Sequence, residues 1–289
     1  MRILIVRNNY NTQAIDASLM LATYLGSQDI DFKIVDSHDL APIYSGLGED
    51  DAADYNLAVV LGGDGTVLRT ARYIGTHNVP IIGINYGHLG FLAHSSEIGV
   101  IPLVAAALAG DVREEQHTNL QVRVLCEGED EEEVFYGESL DHTYFALNEI
   151  SLTRGASGRI IDFDIDISGE HLAFMRGDGL IVSSATGSTA YALSAGGPIA
   201  SPAFKGLIVV PIAPHTLQSR AVITSSSDVV ELTLHDTIGS QESCLFIDGE
   251  TLELEKPIRK LLICKNDHPT RLLRYNDKGF YHQASKVFF

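Results

Sequence analysis

A strand–helix alternation that breaks off a little over a third of the way along most constrains what this chain can fold into. Residues 3–6 form a short apolar run suited to a buried parallel strand. Helical spacing over 12–25, carried by Ile15, Leu19 and Ala22, predicts a helix that closes at Gly26. Strands are expected at 31–35, 57–61 and 79–84, and helices at 67–74 and 98–109, the last stopped by Gly110. Such alternation implies a mostly parallel sheet with helices on its faces.

After about Arg113 the pattern changes. The stretches 120–125 and 163–167 alternate apolar and polar residues. Short apolar or alternating runs recur at 180–182, 207–210, 229–234, 245–247 and 258–263. Closely spaced short strands point to a β-rich, sandwich-like domain. A single helix signal, 188–195, interrupts it. The expected organisation is an α/β domain over 1–113 and a β-rich domain over 114–269. A tail, 270–289, returns to the first domain, its apolar end Val287-Phe288-Phe289 docked.

Charge and composition remove several classes. The formal net charge of −18 disfavours broad binding to a nucleic-acid backbone. It leaves room for a small anionic ligand held by a few arginines and backbone N–H groups. Part of the acidity lies in one run, 127–133, expected as a solvated hairpin tip because like charges repel. No apolar run approaches the roughly 18 residues of a membrane span. The N-terminus reads as a first strand, not a signal peptide, so a cytoplasmic location is expected. Cys126, Cys244 and Cys264 match neither a zinc spacing nor a disulfide framework.

Three segments carry chemistry. In Leu61-Gly62-Gly63-Asp64-Gly65-Thr66 a strand ends, glycines surround one carboxylate and a helix begins. Glycines allow close approach of a ligand, and a helix start offers unpaired N–H groups to phosphate. An ordinary tight turn explains the same dipeptides equally well. The second segment runs from Arg176-Gly177-Asp178-Gly179-Leu180 into the small and hydroxyl residues of 183–198. It suits a flat ligand lying close to the backbone; a packed loop with a hydroxyl cap is the plainer reading. The third, Asn148-Glu149, follows an apolar strand over 144–147 and by itself reads as a surface turn. Neither G-x-x-x-x-G-K-[ST] nor G-x-G-x-x-G occurs, and no H-E-x-x-H metal motif is present.

Gly62-Gly63-Asp64-Gly65-Thr66-Val67-Leu68-Arg69, the stretch from Ile84 to Phe91, Asn148-Glu149, Arg176-Gly177-Asp178-Gly179-Leu180 and the stretch from Thr186 to Ile199 resemble, in order and spacing, the motifs of the NAD kinases. The resemblance runs from about residue 57 to 250. The first motif is shared with lipid kinases and 6-phosphofructokinases; Thr186-Gly187-Ser188-Thr189-Ala190-Tyr191 after an upstream Gly-Asp-Gly is far more specific. The resemblance implies an α/β domain and a β-rich domain with the active site between them. It implies phosphoryl transfer from ATP or polyphosphate, with Mg²⁺ or another divalent cation, to the 2′-hydroxyl of the adenosine ribose of NAD. A homodimer or homotetramer follows, with neither a nucleic acid nor a membrane as partner and no metal site made by protein groups alone.

Carried over by position, Asp64 resembles the proton acceptor, and Gly62, Gly63, Thr66 and Arg69 the phosphate-binding groups. Gly65, Phe91, Asn148, Glu149, Arg159, Arg176, Asp178, Thr189, Ala190, Tyr191, Ser194, Ala213 and Glu250 resemble the residues around NAD. Two positions depart from the family pattern. Ala185 stands where proline is frequent, and Glu250 in Asp248-Gly249-Glu250 replaces an amide side chain. A diacylglycerol-kinase-like lipid kinase and a non-catalytic NAD-binding regulator are the alternatives. The polar 183–198 segment argues against the first, and an intact Asp64 against the second.

Overall fold

The computed structural model describes residues 1–41, 43, 48–87, 90–216, 218–276 and 278–289. The chain divides into two compact units. One contains Met1–Pro42, Gly48–His117 and Pro269–Phe289; the other contains Thr118–His268 together with Ile43–Leu47.

The first unit is an α/β layer structure. Its sheet runs Asp31–Asp36, Arg2–Arg7, Leu57–Leu61, Ile81–Asn85, Thr270–Arg274, Arg113–His117, with the two-residue strand His94–Ser95 also on Ile81–Asn85. All pairings are parallel except the last, between Thr270–Arg274 and Arg113–His117. Ile3, Ile5, Val59, Leu61, Ile82 and Ile84 pack against Leu21 and Leu25 of the helix Thr12–Ser27 and Leu103 and Val104 of the helix Val100–Ala109. Burial on both faces explains why the central strands are uninterrupted apolar runs rather than alternating ones.

The first helix begins where Asn11 accepts the N–H of Ala14, but it passes through Gly26 and ends at Ser27. Gly26 keeps helical geometry, so it is no stop. Gly110 does end its helix, in the left-handed conformation at φ 75°. The returning segment supplies a strand and a helix, Phe280–Phe288. Phe280 and Phe288 pack on Phe91, whereas Phe289 is 97% exposed.

The second unit is a sandwich of two antiparallel sheets. One runs Glu170–Gly177, Ile161–Ile167, Val229–Leu234, Ile258–Lys265, Leu120–Cys126, Thr143–Ala146; the other runs Val222–Ile223, Ile208–Ile212, Gly179–Ser183, Glu149–Thr153, Cys244–Ile247, Glu250–Leu252. Alternate residues of facing strands, among them Val122, Phe163, Leu232 and Leu261 against Ile150, Leu180, Val182 and Leu245, form one core. The other face of Gly179–Ser183 is covered as well: Ile181 packs on Ala192, beside Ile208 and Val210.

Two further local expectations need correction. The acidic run is not a bare hairpin tip. It does join two paired strands, but Asp130 accepts the N–H of Glu133 and starts a helix, Glu131–Tyr136. Carboxylates in a first turn suit the helix dipole, and Lys260 holds Glu131 at 2.7 Å. The helix expected over 188–195 is two single turns, Gly187–Thr189 and Tyr191–Ser194, separated at Ala190, whose ψ of −130° is not helical.

Candidate functional site

In the first unit, the buried strand Leu57–Leu61 delivers the chain to Gly62, whose N–H donates to Ile84 O at 2.9 Å. A Cβ on Gly62 would lie 2.4 Å from Thr66 Oγ1, so only glycine lets the following helix turn back this tightly. That helix is Asp64–Ile74, starting three residues earlier than its apolar spacing predicts.

Asp64 therefore stands in its first turn. Its Oδ2 accepts the N–H of Phe91 at 2.7 Å, and its Oδ1 the N–H of Leu92 at 3.1 Å. The carboxylate fills the place that a side chain on Gly90 would take. A Cβ on Gly65 would meet nothing within 4 Å, which leaves the helix start open to a ligand. Arg69, one turn on, reaches Ser37 O at 3.4 Å. Phe91 is only half-buried, and Phe280 and Phe288 engage its ring. His88 and Leu89, between Ile84 and Phe91, lie outside the described residues.

The second unit holds a cavity of about 460 Å³, lined by Glu149, Ser151, Thr153, Arg154, Asp178, Tyr191, Ile212, Phe246 and Gly249. The turn at Asn148 leads directly into the lining residue Glu149. Asp248, at φ 47°, accepts the N–H groups of Leu147, Asn148 and Glu149 at 3.1, 2.6 and 3.2 Å. From the other side Ser184 donates its N–H to Asn148 O at 2.9 Å and its hydroxyl to Leu147 O at 2.6 Å. Gly187 packs so closely that a Cβ would lie 2.2 Å from Asn148 O. The small residues of 183–188 thus serve close packing against this turn.

Glu149 opens the strand Glu149–Thr153 and is 5% exposed, with Oε2 buried and unpartnered. Burial, and next the charge of Asp248, push its carboxyl up to about 8, against a hydrogen bond from the backbone of Tyr191. Arg154 does not offset it: Arg154 pairs with Asp178 at 3.1 Å and donates to Gly158 O at 2.6 Å.

Of the residues singled out in the sequence, Glu149, Asp178 and Tyr191 come together on this cavity, and Asn148 directly precedes Glu149 in the chain. Ala213, also at positive φ, follows Ile212, and Glu250 follows Gly249. Thr189 donates to Thr186 O at 3.3 Å; Ser194 is exposed. Arg176 and Arg159 are not among the lining residues. Arg176 makes a two-pronged pair with Asp162, both bonds 2.7 Å, and Arg159 faces Glu242 at 3.5 Å. Sequence reasoning missed Ser151 and Thr153, although they share a strand face with Glu149 at period two. It also missed Arg154, Phe246 and the clamp at Asp248.

Among the described residues, no group of three or more His, Cys, Asp or Glu side chains could hold a metal ion. Nor is any described helix long and apolar enough to cross a membrane.

The sequence matches the ATP-NAD kinase N-terminal domain over residues 3–112 and the ATP-NAD kinase C-terminal domain over 147–275. An NAD kinase of Methylibium petroleiphilum is 35% identical over 265 residues, covering 90% of this chain and 85% of that one. An NAD kinase of Heliobacterium modesticaldum is 33% identical, covering 96% and 94%. In fold the chain is similar to a yeast NADH kinase complexed with NADH, with a TM-score of 0.82 at 22% identity, covering 99% of this chain and 87% of that one. It is also similar to an Archaeoglobus fulgidus NAD kinase in complex with ATP, with a TM-score of 0.70 at 22% identity, covering 99% and 98%. Matched by both domain families and by relatives over most of their length, this chain belongs to the NAD kinase family of enzymes.

Proposed function

We propose that this chain phosphorylates NAD at the 2′-hydroxyl of its adenosine ribose, with ATP as donor and Asp64 as proton acceptor. The observation that carries the reading is the posture of Asp64. Its carboxylate is fixed by two backbone N–H groups at the head of a helix whose next residue, Gly65, leaves room for a ligand. The ligands named for the two fold relatives, NADH and ATP, are the acceptor type and donor that this reading assigns.

Phosphoryl transfer asks a protein mainly for positioning and charge stabilisation. The N–H groups after Gly63 and the positive end of the helix face the donor phosphates. Arg69 adds a cation one turn on. Asp64 orients the ribose hydroxyl and takes its proton as the bond to phosphorus forms. Glu149, Asp178 and Tyr191 hold the dinucleotide in the cavity of the second unit. Asp64 is a single carboxylate and already accepts two hydrogen bonds. That donor set fits a divalent cation bound chiefly through the substrate's phosphates, as is usual for Mg²⁺, which supplies charge neutralisation.

The test is incubation with NAD, ATP and Mg²⁺, with NADP detected by an NADP-specific dehydrogenase. Inorganic polyphosphate in place of ATP tests the donor. Asp64→Asn should lower turnover by about 10²–10⁴ while NAD binding persists. Near-normal turnover in that variant removes Asp64 from the role of base.

A further inference from the structure

Two peptide units separate Asp64 from the C-terminal segment. In the first, the N–H of Phe91 points to Asp64 Oδ2 while the carbonyl of Gly90 accepts a hydrogen bond from Gln283 Nε2. In the second, the N–H of Leu92 points to Asp64 Oδ1 while the carbonyl of Phe91 accepts from Arg274 Nη2 at 2.9 Å. Arg274 Nη1 also holds Leu92 O, at 3.1 Å. Both peptides that bind the carboxylate are thus gripped at their other end by the returning chain.

The grip is itself anchored. Arg274 is 7% exposed and its Nε donates to Glu115 at 2.8 Å. A hydrogen bond from His117, and the nearby charge of Arg274, hold the carboxyl of Glu115 down at about 2. Phe280 and Phe288 pack on the ring of Phe91 from the same helix that carries Gln283. A hydrogen-bond donor on a carbonyl polarises the peptide and strengthens its N–H as a donor. The cation at Phe91 O therefore tightens the bond on Asp64 as well as placing it.

We propose that Arg274 and Gln283 are positioning residues for phosphoryl transfer, which fix the Asp64 carboxylate through the peptides of Gly90–Leu92. This rests on the assignment of Asp64 as proton acceptor. Neither residue touches substrate in this scheme. Their removal lets the Gly90–Leu92 segment and the carboxylate drift, and misplacement by an ångström can cost about 10²-fold in rate.

The experiment measures kcat by NADP formation, and NAD affinity by calorimetry, for Gln283→Ala, Arg274→Ala, Arg274→Lys and Asp64→Asn, and combines Asp64→Asn with Gln283→Ala. Gln283 sits half-buried on a terminal helix, so its alanine variant should fold even if Arg274→Ala does not. The expected result is a fall in kcat of about tenfold or more for Gln283→Ala and about 10²-fold for Arg274→Ala, with NAD affinity within about twofold of the parent. Arg274→Lys, which keeps a cation beside the carbonyls, should recover part of the loss. On an Asp64→Asn background, Gln283→Ala should add almost nothing, because coupled residues are non-additive. Unchanged kcat in Gln283→Ala, or losses that add fully to that of Asp64→Asn, would overturn the proposal. Near-normal turnover of Asp64→Asn alone would instead overturn the assignment of the base.

Discussion

Asp248 accepts the backbone N–H of Asn148 at 2.6 Å, although a hundred residues separate them. The same carboxylate takes the N–H groups on either side, so one side chain satisfies three consecutive donors of the turn that leads into Glu149. Removing it strands those donors, and a buried unsatisfied group costs about 1–3 kcal/mol. Asp248 also sits at positive φ, where alanine is strained and asparagine is tolerated. Asp248→Ala should therefore lose about 2 kcal/mol or more in urea unfolding, and NAD affinity should fall with it. Asp248→Asn, which keeps one acceptor oxygen, should lose less in both measurements.

The two glycines near Asp64 should respond in opposite ways. A Cβ on Gly90 would fall 2.2 Å from Asp64 Oδ2, so Gly90→Ala must push the carboxylate off its N–H partners. A Cβ on Gly65 meets nothing. Gly90→Ala should lower kcat by about 10²-fold, the cost of misplacing a reacting group. Gly65→Ala should leave the melting temperature unchanged or slightly raised and act through substrate KM, because the added methyl meets no protein atom within 4 Å. Steady-state kinetics together with thermal melts separate the two cases.

Phe163 is fully buried in the sandwich core and is among its largest side chains. Phe163→Ala should cost about 3–5 kcal/mol, through lost transfer energy and the cavity left behind. Urea unfolding monitored by circular dichroism measures it.

What could be read from the sequence was local. The strand–glycine–carboxylate–helix order at Gly62–Thr66 lies within one turn of chain, and its geometry follows from residue types. The α/β unit and the sandwich followed from periodicity. What escaped depends on partners far apart in sequence. Asp248 acts on residues about a hundred positions earlier, and Gln283 on Gly90, 193 positions away. The motif around Arg176 says nothing of its pair with Asp162. That ion pair depends on pairing between the strands Ile161–Ile167 and Glu170–Gly177, which puts the two residues opposite each other. The helix in the acidic run is hidden in the sequence because mutual repulsion of its carboxylates masks the cap by Asp130 and the favourable dipole at a first turn.

Stability should depend on pH through two glutamates with opposite signs. Glu115 has a folded-state pKa near 2, below its ordinary 4.5, through its bond with His117 and the charge of Arg274. Its contribution is present above about pH 4.5 and is lost as pH falls toward 2. Glu149 is the reverse case. Burial and Asp248 raise its folded pKa to about 8, so below pH 4.5 it is protonated in both folded and unfolded chains and costs nothing. As pH rises from about 4.5 to 8 the unfolded chain releases that proton and the folded chain does not. The unfolded state then binds fewer protons, and stability falls by up to about 1.4 kcal/mol per pH unit. Above pH 8 both forms are ionised and the decline stops. Glu149→Gln removes this loss while keeping the side chain's shape. The variant should match the parent near pH 5 and exceed it in unfolding free energy by several kcal/mol at pH 8–9. Equal pH profiles for parent and variant over that range would show that Glu149 is ionised in the folded protein.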